Sequence, residues 1–214
     1  MIFIVMALIA ILAYVIGGFS TARIITRNVR SLNIYRIGTG LADTENIYMN
    51  VSKPMGMLVG AIDAAKSYLF LSLVNVILNL LNNMTGAIKL DLLYDPSIMM
   101  VYAIFMLIGH CLPMVSHFRG GRGIFTYLGI AAYFSLIPTL FTGLIAWILV
   151  LAWKQIRFAQ YMIVILPVLL TSLLTPFLPF LNQELPRYYT PLGTGMMLIM
   201  GILNFLVSKK LGEI

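Results

Sequence analysis

Charge is scarce in this chain: 10% of its 214 residues are Asp, Glu, Lys or Arg, against 61% hydrophobic residues. A soluble domain carries about a quarter charged residues, and a mean hydropathy of +0.98 excludes water as the principal solvent. Cysteine is limited to Cys111, which excludes an intrachain disulfide and any cysteine-based metal cluster. No His/Asp/Glu group stands at metal-ligand spacing, so no metal is expected. Linkers rich in Pro and Ser, low-complexity tracts and internal repeats are also missing, so residues 1–214 read as a single membrane domain.

Acids are fewer than bases, 7 against 14, which leaves a formal charge of +7. The basic residues lie in short loops between apolar runs, where they form no soluble face for nucleic acid. Anionic lipid headgroups or phosphorylated substrates fit such loops better.

The apolar runs predict an all-α, polytopic bundle of about seven crossings, at 2–19, 54–81, 98–115, 124–137, 139–153, 158–181 and 192–207. The first run has no basic segment before it and is read as a retained crossing rather than a cleaved signal. The stretch from Ile124 to Trp153 is too long for one crossing, and Pro138 and Gly143 near its middle predict a hairpin with one short half buried in protein or re-entrant. Pro167 predicts a kink in the sixth run, and Pro176 and Pro179 its end. Trp147 and Trp153 are read as core and interfacial residues.

This parity places Arg23, Arg27, Arg30, Arg36, Lys53, Arg119, Arg122, Lys154, Arg157, Lys209 and Lys210 on one side, and only Lys89 and Arg187 on the other. The basic excess marks the cytoplasmic face. A plasma-membrane protein with its N-terminus outside and its C-terminus in the cytoplasm is expected.

Two loops and one helix carry the candidate chemistry. Gly38, Thr39 and Gly40 open a segment running to Asn46, in which glycines let backbone N–H groups converge on an anion; an ordinary turn is the plain alternative. In Phe118-Arg-Gly-Gly-Arg-Gly123, Arg119 and Arg122 stand among Gly120, Gly121 and Gly123, just before an apolar run. That arrangement suits phosphate held by guanidinium groups and a helix N-terminus, with a membrane anchor as the alternative. Asp63 and Lys66 lie three apart inside the second crossing, on one helical face, as a functional or bundle-locking ion pair. His110 is read as a proton carrier or a packing residue, and a Cys111–His110 pair is disfavoured because adjacent helical residues diverge.

With these segments placed, the chain resembles the acyl-phosphate-dependent glycerol-3-phosphate acyltransferases of bacteria, the PlsY family. Gly17-Gly-Phe-Ser-Thr-Ala22 is similar to the family's opening signature, and Gly38-Thr-Gly40 through Asn46 to its Gly-Ser-Gly-Asn-x-Gly-Ala-Thr-Asn motif. The register continues through Gly56, Leu58, Val59, Asp63 and Lys66. Gly109-His110, Pro113 and Phe118 to Gly123 then resemble Gly-His-x-x-Pro and Phe-Lys-Gly-Gly-Lys-Gly, with arginine for both lysines.

The resemblance implies a seven-helix membrane enzyme moving an acyl chain from acyl phosphate to glycerol 3-phosphate or a related phosphorylated acceptor, without metal, coenzyme A or other cofactor. It implies Thr39, His110 and Arg122 as the reacting set, and Gly38, Gly40, Asn46, Arg119, Gly120, Gly121 and Gly123 around the phosphate. The chain departs from the pattern at Leu41, in place of an Asn, at Met49, in place of an Arg, and in lacking a C-terminal His-Arg-x-Asn-Ile motif. The alternative is a catalytically inactive member that binds lipid or a partner subunit.

Overall fold

The structure is a computed structural model that describes residues 2–85, 90–178 and 185–211. Lys89 and the last residues of the sixth apolar run, 179–181, lie outside the described residues. Nine α-helices are described: α1 (Ile2–Gly17), α2 (Thr21–Arg30), α3 (Thr44–Asn50), α4 (Lys53–Thr85), α5 (Pro96–Cys111), α6 (Ile124–Phe134), α7 (Leu136–Trp153), α8 (Ile156–Leu174) and α9 (Tyr189–Leu211). Among the described residues, six helical segments are long and apolar enough to cross a membrane. Large apolar side chains such as Phe3, Ile4, Leu8 and Ile11 on α1, or Leu140, Phe141 and Leu144 on α7, stand exposed on the bundle surface. In lipid this is the stable arrangement, because acyl chains solvate such faces while each helix satisfies its own backbone. The chain is a multi-pass membrane protein.

Small residues set how closely the helices approach. Ala10, Ala13 and Gly17 are the buried positions of α1. A Cβ on Gly17 would run into the Met106 carbonyl of α5, and one on Gly109 into the Tyr14 carbonyl of α1. The two backbones touch at their crossing, as membrane helices do when dispersion packing drives association. Gly129 of α6 meets Ala64 and Ser67 of α4 in the same way, and Ser67 Oγ donates to the Thr126 carbonyl at 2.9 Å.

The first apolar run stops at Gly17, short of Phe19. Ser20 caps a separate helix, α2, by accepting from the Arg23 amide at 3.2 Å. The basic residues that follow the first apolar run therefore belong to a second axis. Arg23 donates to Ser116 Oγ at 2.7 Å, while Arg27 and Arg30 are exposed.

The expected break near Pro138 and Gly143 falls instead at Ser135. That residue is the C-cap of α6 and the N-cap of α7, with φ −153° and ψ 82°. Pro138 is accommodated in the first turn of α7, where a helix needs no N–H donor. The Ser135 hydroxyl accepts from Thr171 Oγ1 of α8 at 2.7 Å, so a neighbouring helix pins the break. The short half is α6, about 16 Å long at 11 residues, with seven of them buried. Pro167 lies inside α8. Trp147 is 54% exposed, so it is a groove residue rather than a core one.

The loops between these helices meet at one end of the bundle. Tyr35 Oη donates to the Arg119 carbonyl at 3.2 Å, the Ala42 amide to the Gly120 carbonyl at 3.2 Å, and Arg122 to Ser208 Oγ of α9 at 3.2 Å.

Candidate active site

The loop from Phe118 to Gly123 threads between the end of α5 and the segment before α3. A Cβ on Gly120 would strike the His110 and Cys111 carbonyls, and one on Gly121 would crowd Asp43, His110 and Ala42. Gly123 has φ +78°, where a side chain is strained, and packs on Cys111. These glycines let the loop pass close enough to bury Arg122 to 3% exposure. Arg119 sits outside, exposed, so the two arginines of the motif have different surroundings.

Asn46 organises the second loop. Its side-chain amide donates to the carbonyls of Leu41 (2.8 Å) and Ile37 (3.0 Å), and its Oδ1 accepts from the Thr39 amide at 3.2 Å. Gly38 and Gly40 have positive φ, 52° and 70°, and side chains of Asn46 and Asn50 fill the space where a Gly38 Cβ would stand. The Thr39 hydroxyl accepts from the Leu41 amide at 3.4 Å. Asn46 is wholly buried, so its polar atoms serve the loop.

This loop delivers Asp43 and Glu45 to Arg122. Asp43 caps α3 by accepting from the Asn46 amide at 3.0 Å. Burial pushes its carboxyl from the ordinary 3.8 up to about 6; Glu45 adds to the rise, and the Asn46 amide and Arg122 oppose it. Glu45 Oε2 lies 3.4 Å from Arg122 Nε, 3.7 Å from Arg157 Nη1 and 2.9 Å from Gln160 Nε2. From α9, Asn204 donates to the Arg122 carbonyl at 3.2 Å, one turn before Ser208.

The second polar cluster is built on Lys66. Its ammonium pairs with Asp63 at 2.9 Å and donates to the carbonyls of Phe19 (2.9 Å) and Gly17 (3.3 Å) and to His110 Nδ1 (3.2 Å). Asp63 also accepts from Thr21 Oγ1 at 3.0 Å. The pair expected from spacing therefore staples the break between α1 and α2 to α4 and α5. Because an ammonium can only donate, Nδ1 is the acceptor and the ring proton is assigned to Nε2.

Both clusters border one cavity of about 190 Å³. Asp43, Glu45, Asp63, His110, Arg122 and Gln160 line its polar part; Phe125, Leu128, Ala146, Trp147, Val150 and Ile163 line an apolar groove among α6, α7 and α8. Among the sequence-predicted residues, His110, Arg122, Gly123 and Asp63 reach this lining. Thr39, Gly38, Gly40, Asn46, Arg119, Gly120, Gly121 and Lys66 are not among the lining residues. Asp43, Glu45, Arg157, Gln160, Asn204 and Ser208 escaped sequence reasoning. The signals that stood in the chain were two of its seven acids within three residues of Asn46, and the i, i+4 polar pair Asn204 and Ser208 in the last helix. Among the described residues no three of His, Cys, Asp and Glu converge as metal ligands.

A polar end that pairs charges beside an apolar groove among helices is an arrangement of the kind that can take an amphiphile in a membrane protein. Comparison with known proteins gives the same class a family. Residues 7–210 match the family model for glycerol-3-phosphate acyltransferase, and the chain belongs to that family.

Among curated relatives, a glycerol-3-phosphate acyltransferase of Mycoplasma mobile is 26% identical over 181 residues, covering 85% of this chain and 70% of that protein. One of Syntrophotalea carbinolica is 34% identical over 142 residues, covering 66% and 64%. The match to the Mycoplasma capricolum relative spans 44% of that protein's length. Crystal structures of PlsY, an integral membrane glycerol 3-phosphate acyltransferase, share the fold. The glycerol 3-phosphate form has a TM-score of 0.69 at 19% identity, over 96% of this chain and 88% of that one. The lysophosphatidic acid form has a TM-score of 0.67.

Proposed function

We propose that this protein is a membrane acyltransferase of phospholipid synthesis that moves an acyl chain from acyl phosphate to a hydroxyl of glycerol 3-phosphate or a related phosphorylated acceptor at the cytoplasmic face. The observation that carries this reading is the cavity, which joins a buried guanidinium and an imidazole to an apolar groove, in a chain of this family. The groove takes the acyl chain, and Arg122 with the Gly120–Gly123 turn takes phosphate.

The chemistry needs one bond made and one broken. The acceptor hydroxyl oxygen attacks the acyl carbonyl carbon, the bond from that carbon to the phosphate oxygen breaks, and phosphate leaves. Asp43, whose carboxyl titrates near 6, is ionised at neutral pH and takes the hydroxyl proton. His110 Nε2–H, held by Lys66 on the opposite nitrogen, donates to the carbonyl oxygen as negative charge develops there. Thr39, Gly38, Gly40 and Asn46 act by shaping the loop that carries Asp43, and Arg119 draws anions to the mouth.

A second reading, a lipid-binding member without turnover, is favoured by two positions. Leu41 is buried, at 8% exposure, and Met49 is exposed at 61%, where the family pattern has a polar and a charged residue. One assay separates the readings. Purified protein in lipid is given radiolabelled glycerol 3-phosphate and acyl phosphate; labelled lysophosphatidic acid is expected, with turnover lowered roughly 100-fold or more in Arg122→Ala. No product from wild type, where an authentic enzyme works, would sink the acyltransferase reading, and unchanged turnover in Arg122→Ala would remove Arg122 from the site.

A further inference from the structure

Three donors from distant parts of the chain converge on one carboxylate oxygen at the cavity. Gln160 and Arg157 come from the first turns of α8, Arg122 from the loop before α6, and all face Glu45 Oε2 on α3. Only the Gln160 contact, 2.9 Å, has an ordinary hydrogen-bond length. The guanidinium distances, 3.4 and 3.7 Å, are long for charge-assisted bonds, which settle at about 2.7–2.9 Å. A single carboxylate oxygen is shared here by three donors. A phosphate group, with three acceptor oxygens and up to two charges, matches their number.

The protein's own charges explain why the carboxylate is there. A guanidinium at 3% exposure is costly to bury without a counter-ion, and Glu45 is one within reach. Glu45 also has more room to move than Arg122: its side chain is 17% exposed against 3%, with Arg157 more open still at 45%. Glu45 rides on a helix of seven residues, whereas Arg122 is tied to α9 through Ser208 and Asn204. With Glu45 in place, its carboxylate occupies the side of Arg122 that faces the cavity lining. Withdrawal of Glu45 leaves Arg122 and Arg157 facing the same point.

We propose that Glu45 is an internal ligand of an anion site formed by Arg122, Arg157 and Gln160, and that a phosphomonoester binds by displacing it. This rests on the placement of substrate phosphate at Arg122, and it adds two members of the site from α8 and a specificity filter. A dianionic phosphomonoester competes with the resident carboxylate, and a monoanionic carboxylate does not.

The test is calorimetric titration of the full chain in nanodiscs of zwitterionic lipid with inorganic phosphate, glycerol 3-phosphate and acetate. In Glu45→Gln the phosphate dissociation constant is expected to fall roughly tenfold or more, since the competing charge is gone while its amide bond partner persists. Arg157→Gln in that background should weaken phosphate by a comparable factor. Glu45→Asp, one methylene shorter, keeps a carboxylate on α3 for folding and should tighten phosphate less than Glu45→Gln does. Phosphate affinity equal to wild type in both Glu45 variants, or acetate binding wild type as well as phosphate does, overturns the proposal. The acyl-transfer assay separates the two layers. Tighter phosphate binding without any acyl transfer keeps the anion site and discards the reaction; acyl transfer whose KM for glycerol 3-phosphate is the same in Glu45→Gln discards displacement and keeps the reaction.

Discussion

Replacing Lys66 by Met leaves the Asp63 carboxylate, whose side chain is 3% exposed, with only the Thr21 hydroxyl beside it among the bonds described above. Removing one partner of a buried pair costs roughly 3–5 kcal/mol, because the remaining charge stays desolvated. The reverse change is milder. Asp63→Asn leaves the ammonium with the Gly17 and Phe19 carbonyls and His110 Nδ1, and a lost charge-assisted bond of this kind costs about 1.5–3 kcal/mol. The double variant Lys66→Met, Asp63→Leu removes both charges and should lie nearer wild type than Lys66→Met does. Stability is measured by reversible unfolding in mixed micelles, with thermal melting as a cross-check. A second readout separates packing from positioning: in the double variant His110 loses the donor to Nδ1, so nitrogen NMR of the labelled imidazole should show both neutral tautomers where wild type shows Nε2–H alone. Finding Lys66→Met no more damaging than Asp63→Asn would refute the argument that the ammonium is the hub.

Other consequences are open to direct measurement. Asp43 titrates near 6 instead of 3.8, so the folded state binds a proton more readily than the unfolded one. That contribution to stability is complete below pH 4 and is lost as pH rises through 6, an amount of about 3 kcal/mol. Asp43→Asn keeps a capping oxygen and should flatten this part of the stability curve between pH 4 and 6; an unchanged slope rules out Asp43 as its source. Gly17→Val forces a side chain into the Met106 carbonyl, and a melting temperature lowered by several degrees is expected, with no change counting against the close approach of α1 and α5. Reporter fusions after Arg30 and after Lys209 should fall on the same, cytoplasmic side; opposite sides would break the sevenfold crossing scheme.

Several features could be read along the chain because they depend on neighbours in sequence. Apolar runs of membrane length report the solvent whatever the fold. The Asp63–Lys66 pair follows from helical spacing, since residues three apart share a face. The glycines around Arg122 mark a tight passage, because only a missing Cβ leaves space beside the His110 and Cys111 carbonyls. Other features depend on partners that no local pattern names. Pro138 looked like the break in the long run, yet the break is at Ser135, because the hydroxyl that holds it belongs to Thr171, 36 residues away.

Arg122 shows the same division. Its type and its glycine-rich setting were legible, and so was the expectation that it faces an anion. That an anion facing it in this chain is Glu45, shared with Arg157 and with Gln160 at a separation of 115 residues, came only from side chains that reach across from α3 to α8. The sequence by itself determined a lipid-solvated helical bundle with a basic, glycine-lined loop, because hydropathy and backbone freedom are properties of short segments. Tertiary structure decided which charges meet inside it, because burial makes charges pair with whatever partner the fold brings within reach.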